Sequence, residues 1–425
     1  MTRKNHIYRI ASFVIVIALA VALTVTLGGC NVIFPVKGET LLPVSQEIIN
    51  MYAGEYRHNW RYSRLSDRLK TCYGEIYASL YSRFDEDETV RLSDDNGGNV
   101  ERIGIRVKLS APLRNREEAQ LLYTALVWDN PEFFYVSNQY SYEGTRSGNV
   151  LQYDIFCISY TLNASERATA IDLLDSTIRR IVDPICPGGV IPAGLSQAQV
   201  QLALHDALLR MCSYDDAASN ADDPMQMYPL AFTAYGALVG ERAVCEGYAR
   251  AMQLLLHNVG ISCTLVSGME TATGIPHMWN FVTVDNLNYH LDPTWNDADG
   301  FFNHTYFNVT TEEILRTHSI DDANVGIDTS TASAAQYYYM TGSFLTSGKP
   351  GDISTLIAGR IAEDADIIEM RFSPDVFGTA LEFLTGKTAL ITRVNGKLAG
   401  TKKFMWAYEL HINDAHCTVT IFKTS

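Results

Sequence analysis

Gly274-Ile-Pro-His-Met-Trp-Asn-Phe-Val-Thr-Val-Asp-Asn-Leu-Asn-Tyr-His-Leu-Asp-Pro-Thr-Trp295 reads as two strands joined by a tight turn at Asp285 and Asn286, residue types that tolerate the positive φ such turns need. With the turn centred there, Val282 faces Tyr289 and Val284 faces Leu287, which makes one apolar sheet face. On the other face Asp292 falls opposite Trp279 and diagonal to His277, a separation of roughly 7 Å that side chains can close. Slipping the register by one residue would break both the apolar face and the His/Asp pairing. A hairpin of this kind brings a base next to a carboxylate that can orient it.

Upstream, Ala243-Val-Cys-Glu-Gly-Tyr-Ala249 leads into a run with apolar residues at Tyr248, Ala249, Met252, Leu255, Leu256 and Val259, the i, i+3, i+4, i+7 spacing of an amphipathic helix. Gly260 is suited to the left-handed conformation that closes its last turn. Cys245 therefore lies in a helix first turn, where unpaired N–H groups and the helix dipole favour thiolate over thiol. Alone, it reads equally as a buried core cysteine. With His277 and Asp292 it forms the set needed for nucleophilic amide chemistry: a thiol, a base to take its proton, and a carboxylate to fix the imidazole tautomer. His290 is a rival base, but its place mid-strand faces Phe281 and puts no carboxylate opposite it.

Val244-Cys-Glu-Gly-Tyr-Ala249, Gly274-Ile-Pro-His-Met-Trp-Asn280 and His290-Leu-Asp-Pro-Thr-Trp-Asn-Asp297 resemble the three motifs of the bacterial transglutaminase-like superfamily. The likeness extends to His205-Asp206, Cys212-Ser-Tyr-Asp-Asp216, Tyr235-Gly-Ala-Leu-Val239 and Tyr306-Phe-Asn-Val-Thr310, and so covers residues 195 to 320. It implies an α+β fold with a papain-like core, in which the nucleophile helix packs on an antiparallel sheet bearing the histidine and aspartate. It also implies acyl transfer through a Cys245 thioester, with Cys245, His277 and Asp292 in the triad positions. The oxyanion would be held by the backbone N–H of Cys245 and one further donor, for which Tyr235 is a candidate; Trp279 would wall the site and Asn280 hydrogen-bond nearby. All three are equally explicable as packing residues. The resemblance leaves the acceptor open: water gives a peptidase or amidase, and a lysine amine gives a cross-linking transglutaminase. A non-catalytic surface binding lipoprotein is the third reading.

Arg3, Lys4 and Arg9 precede an apolar run from Ile10 to Leu27 that ends in Leu27-Gly-Gly-Cys30. A basic start and an apolar core read as a signal peptide. A cysteine directly after Leu-Gly-Gly resembles the bacterial lipobox, with Cys30 as the lipidated residue. The run is also long enough to serve as an uncleaved anchor. Either way the rest of the chain is expected outside the cytoplasm, tethered to a cell membrane. The formal charge of −15, from 33 basic and 48 acidic residues, argues against nucleic-acid partners; a protein or peptide substrate is what the resemblance implies. Six further cysteines, Cys72, Cys157, Cys186, Cys212, Cys263 and Cys417, have no spacing that favours one pairing. No cysteine pair has zinc spacing and no glycine-rich loop follows a strand, so no metal or other cofactor is expected. Asp297-Ala-Asp-Gly300 lacks both the first ligand and the closing glutamate of a calcium loop.

The chain is long enough for several domains. A signal segment (1–29) and a tether (30–42) lead to an N-terminal α+β domain (43–186), with helices expected around Tyr62 to Leu80, Glu117 to Trp128 and Ala164 to Val182. Strands are expected at Ile103 to Leu109, Phe133 to Val136 and Val150 to Tyr160. A proline- and glycine-rich stretch (184–194) separates this from the catalytic domain (195–320), which opens with a helix from Gln197 to Met211. A small-residue linker then leads to a C-terminal α/β accessory domain (335–425), with helices at Ile353 to Asp364 and Phe377 to Leu384. Its strands are expected at Ile367 to Phe372, Ala389 to Val394 and Phe404 to Ile412.

Overall fold

The computed structural model describes residues 41–423 apart from 57–58, 94–98, 148–149, 299–300, 322–323, 325–326, 401 and 405–407. The signal segment, Cys30 and nearly all of the tether lie outside them. No helix of the described residues is long and apolar enough to cross a membrane.

Three four-stranded sheets, each with its own helices, make up a mixed helix-and-sheet architecture. The first is antiparallel, in the order β1-β2-β4-β3: β1 (Glu88–Ser93), β2 (Asn99–Leu113), β3 (Val136–Ser147) and β4 (Val150–Tyr160). Three long helices accompany it, α1 (Asp67–Ser82), α2 (Arg116–Asp129) and α3 (Ala164–Val182). The apolar run expected as a strand at Phe133 to Val136 is instead a turn with bonds from Phe133 to Asn130 and from Val136 to Phe133, and the strand begins at Val136. Phe133, Phe134 and Tyr135 are all buried, so burial of the rings, not strand pairing, accounts for their apolar character.

The second sheet carries the motifs. Its order is β8-β5-β6-β7, all antiparallel, from β5 (Ser262–Glu270), β6 (Pro276–Val284), β7 (Leu287–Leu291) and β8 (His318–Ile320). The β6–β7 register is the one the turn residues imply: Val282 pairs with Tyr289, Val284 with Leu287 and Phe281 with His290. Asp285 (φ 50°) and Asn286 (φ 66°) both adopt the left-handed conformation of the hairpin turn. The ladder stops one residue earlier than expected, at Asn280 and Leu291. Asp292 does not pair with Trp279, and instead caps a short helix, as described below.

α4 (Gln197–Met211) and α5 (Cys245–His257) pack behind this sheet. The inward face of α5, Tyr248, Ala249, Met252, Leu255 and Leu256, is fully buried, each large side chain contributing about 1.5–3 kcal/mol by leaving water. Asn280 on β6 donates its amide N–H to the Ala249 carbonyl at 2.8 Å, tying helix to sheet. One continuous apolar core links the first sheet to the second, running from Tyr73 and Phe156 through Leu204 and Leu255 to Tyr289.

The C-terminal sheet has a separate core around Ile357, Phe372, Leu390 and Phe404. Its order is β9-β10-β12-β11, from β9 (Phe344–Leu345), β10 (Ile367–Phe372), β11 (Tyr408–Asn413) and β12 (Thr418–Lys423). The stretch Ala389 to Val394, expected as a strand, lies in a helix, Lys387–Asn395, whose buried face is Leu390 and Val394. Among the described residues no disulfide forms; all seven cysteines are thiols.

Candidate active site

Cys245 is the first residue of α5 and is 7% exposed. As N1 of the helix, its backbone N–H has no intrahelical acceptor. Gly247 keeps this turn tight: a Cβ there would meet the Ala231 carbonyl oxygen at 2.5 Å and the Ala243 Cβ at 2.7 Å.

His277, on β6, is 5% exposed, and its Nε2 lies 2.7 Å from Asp292 Oδ2. Cys245 is an electrostatic neighbour of the same imidazole, and with Nε2 on Asp292 the nitrogen left for sulfur is Nδ1. Burial alone would push His277 down, but the Asp292 charge, its hydrogen bond and Cys245 together raise it to about 10. Asp292 is fully buried; burial opposes its charge, yet His277 and a second histidine hold it well below the usual carboxylate range. Asp292 is also the N-cap of the short helix Pro293–Asn296, its Oδ1 accepting from the Trp295 N–H at 3.1 Å. The Asp-Pro sequence thus has a local purpose: proline at N1 forms the turn, and the turn fixes the aspartate.

The second histidine is His318 of β8, whose Nε2 is 3.1 Å from Asp292 Oδ2. No motif in the sequence marks His318. Tyr214 is the other residue that the sequence did not single out. Burial and the nearby Cys245 push this phenol up to about 12, so it stays neutral, its hydroxyl donating to Ser219 Oγ at 3.3 Å.

The remaining candidates occupy other places. Tyr235 stacks on Phe134 of the N-terminal region, centroids 4.8 Å apart, which places it in aromatic packing. Trp279 is fully buried behind the histidines, its ring 6.1 Å from His277 and 5.0 Å from His318, with Nε1 donating to His290 Nδ1 at 3.0 Å. His290 is committed to that bond and to Thr311 Oγ1 at 3.1 Å, and burial holds it down at about 3. Asn280 serves the helix contact described above.

A second histidine–carboxylate cluster lies where the C-terminal sheet meets α4. His304 sits between two carboxylates, with Nε2 3.0 Å from Asp206 Oδ1 and Nδ1 2.6 Å from Glu369 Oε1. Burial opposes its charge, but Glu369 and Asp206 raise it to about 9. His205 bridges Asp206 Oδ1 and Asn296 Nδ2, each at 3.0 Å. His205, Asp206 and His304, like His277, Asp292 and His318, have ligand atoms close enough to converge on a metal ion. Both nitrogens of His205, His304 and His318 have hydrogen-bond partners, and so does Nε2 of His277, whose Nδ1 is the one nitrogen of the two groups left over. Asp297 accepts from the Tyr248 hydroxyl at 2.5 Å.

No protein-family model and no curated protein matches this chain. Among solved structures, a TGase is similar over 45% of this chain and 50% of its own, at 16% identity and a TM-score of 0.26. A Cytophaga hutchinsonii protein described as a candidate cysteine protease is similar over 44% and 69%, at 11% identity and 0.23. A Parabacteroides distasonis protein described as a candidate protease is similar over 36% and 35%, at 12% identity and 0.19. The chain spans only half the length of the first. At these scores the functional reading rests on the side chains themselves.

Proposed function

We propose that the protein is a membrane-anchored, extracytoplasmic cysteine acyl-transfer enzyme of transglutaminase-like type that hydrolyses amide bonds of protein or peptide substrates. The observation that carries this reading is the convergence of a helix-first-turn thiol on an imidazole whose other nitrogen is 2.7 Å from a buried carboxylate. His277 accepts the Cys245 proton, and the sulfur adds to the amide carbonyl. The backbone N–H of Cys245 faces the developing oxyanion, and the Tyr214 hydroxyl, which donates to Ser219 Oγ at 3.3 Å, is the candidate for the second donor. The C–N bond then breaks as His277 returns the proton to the leaving amine, which leaves a thioester on Cys245. Water, deprotonated by His277, attacks the thioester and releases the acid and the free thiol. Asp292 holds the imidazole tautomer throughout and stabilises its charged form.

The anchor rests on Cys30 and the apolar run before it. It predicts a protein that partitions into detergent and loses its processing when Cys30→Ser is made; unchanged processing would leave a plain uncleaved anchor. The reaction is tested by incubating the detergent-solubilised protein with a peptide library and a tagged primary amine, read by mass spectrometry beside Cys245→Ala. Cleaved peptides absent from the variant support hydrolysis, and amine-tagged products would make the protein a cross-linking transglutaminase. Neither product would return it to the binding-protein reading.

A further inference from the structure

Asp292 accepts three hydrogen bonds, and only two belong to the triad and its cap. Oδ1 takes the Trp295 N–H at 3.1 Å, while Oδ2 takes both His277 Nε2 at 2.7 Å and His318 Nε2 at 3.1 Å. His318 is as deeply buried as Asp292. Its other nitrogen, Nδ1, lies 2.9 Å from Thr317 Oγ1. The hydroxyl can donate there, which leaves the imidazole proton on Nε2, aimed at the carboxylate.

The fold goes to some length to bring this side chain in. β8 has only three residues, and it reaches β5 at Gly268, which pairs with Ile320 on one side and His277 on the other. A Cβ on Gly268 would lie 1.7 Å from the Ser319 carbonyl oxygen and 2.8 Å from the Trp279 ring. The bare glycine therefore lets the edge strand and the tryptophan close on the same point. Trp295 and Trp279 then hold the His318 ring, at centroid distances of 4.4 and 5.0 Å.

We propose that His318 is a positioning residue for the acyl-transfer site: its Nε2–H fixes Asp292 in the rotamer and charge state that orient His277 toward Cys245. This rests on the reading of the site given above. A fully buried carboxylate with too few donors takes up a proton and turns away from its partner; the second imidazole supplies the missing donor without adding a competing base. The titratable groups around His318 are Asp292, His277, His290, Tyr306 and His416, with Glu270 opposite it in the β8–β5 pairing. Burial lowers His290 and His416 to about 3 and raises Tyr306 to about 12, so the neighbours whose charge matters near neutrality are Asp292, His277 and Glu270.

The test compares His318→Phe, which keeps a ring and removes the donor, with His318→Gln, which keeps an amide donor. Peptide cleavage is measured as kcat and KM across pH in the full-length protein. Cys245 alkylation is followed over the same range. We expect kcat in His318→Phe to fall about 10- to 100-fold, the value of a hydrogen bond to a charged group, with KM little changed. The acid limb of both profiles should move to higher pH by about one unit, and His318→Gln should recover part of each effect. A purely structural His318 would lower the melting temperature and leave the acid limb in place in the molecules that stay folded; that result overturns the proposal. Failure of the wider reading is separate, because it appears as cleavage that survives Cys245→Ala, while the alkylation profile still reports on His318.

Discussion

Two buried histidine–carboxylate clusters sit on either side of the short Pro293–Asn296 helix, and they are built from the same side chains for different ends. At its N-cap, Asp292 gathers His277 and His318, and one imidazole nitrogen is left facing a thiol. At its other end, Asn296 meets His205, and the chain of contacts runs through Asp206 and His304 to Glu369 on the C-terminal sheet. There both nitrogens of His304 end on carboxylates, and Tyr337 covers its ring at 3.8 Å. Perturbed titration alone would flag both clusters as functional. What separates them is an open valence: the first presents a nitrogen to a nucleophile at a helix start, while the second is closed and joins α4 to the C-terminal sheet. The Arg371 ion pair with Glu313 and the Thr305–Thr418 hydrogen bond at 3.0 Å strengthen the same joint.

The comparison breaks most readily at the thiol. Cys245→Ala should lower cleavage by roughly 10⁴-fold or more, and Asp292→Asn by about 10²- to 10⁴-fold through the wrong imidazole tautomer; steady-state kinetics decide both. At the joint, His304→Leu leaves the buried Glu369 and the partly buried Asp206 facing each other without the cation between them, which should cost about 3–5 kcal/mol in denaturant unfolding. The activity of the molecules that remain folded should stay near wild type. A loss of kcat with unchanged stability would erase the distinction drawn between the clusters.

The pH dependence sharpens it further. His304 is raised to about 9 in the folded protein, so its contribution is fully present below its unfolded value near 6.5 and is lost as pH rises through about 9. The stability it lends amounts to about 3 kcal/mol. Stability curves of wild type and His304→Leu should converge on the alkaline side, and parallel curves would refute this. Smaller still, Asn286→Val should cost about 1–2 kcal/mol because a β-branched residue resists positive φ, read as a shift in melting temperature. Tyr235→Phe should change kcat by less than about twofold, since its ring stacks on Phe134 away from the thiol.

The hairpin and the α5 helix were legible because each is specified locally. Asp285 and Asn286 fix the turn, alternation fixes the register, and helical spacing ended by Gly260 fixes the helix that carries Cys245. His318 was not legible, because it arrives on a three-residue strand whose place depends on Gly268 and Trp279 rather than on its own neighbours. Tyr214 likewise reaches the thiol through a two-residue pairing of Ser213–Tyr214 with Arg242–Ala243. Ala389 to Val394 misled because its Ile, Thr and Val favour strands by propensity, whereas Leu390 and Val394, four apart, pack one helix face into the C-terminal core.

The most direct test of the central claim is the rate of Cys245 modification by iodoacetamide at pH 6, followed by intact mass in the wild type and in His277→Ala. An imidazole that takes the thiol proton predicts rapid labelling in the wild type and slow labelling in the variant. Equal, slow labelling in both proteins would contradict it.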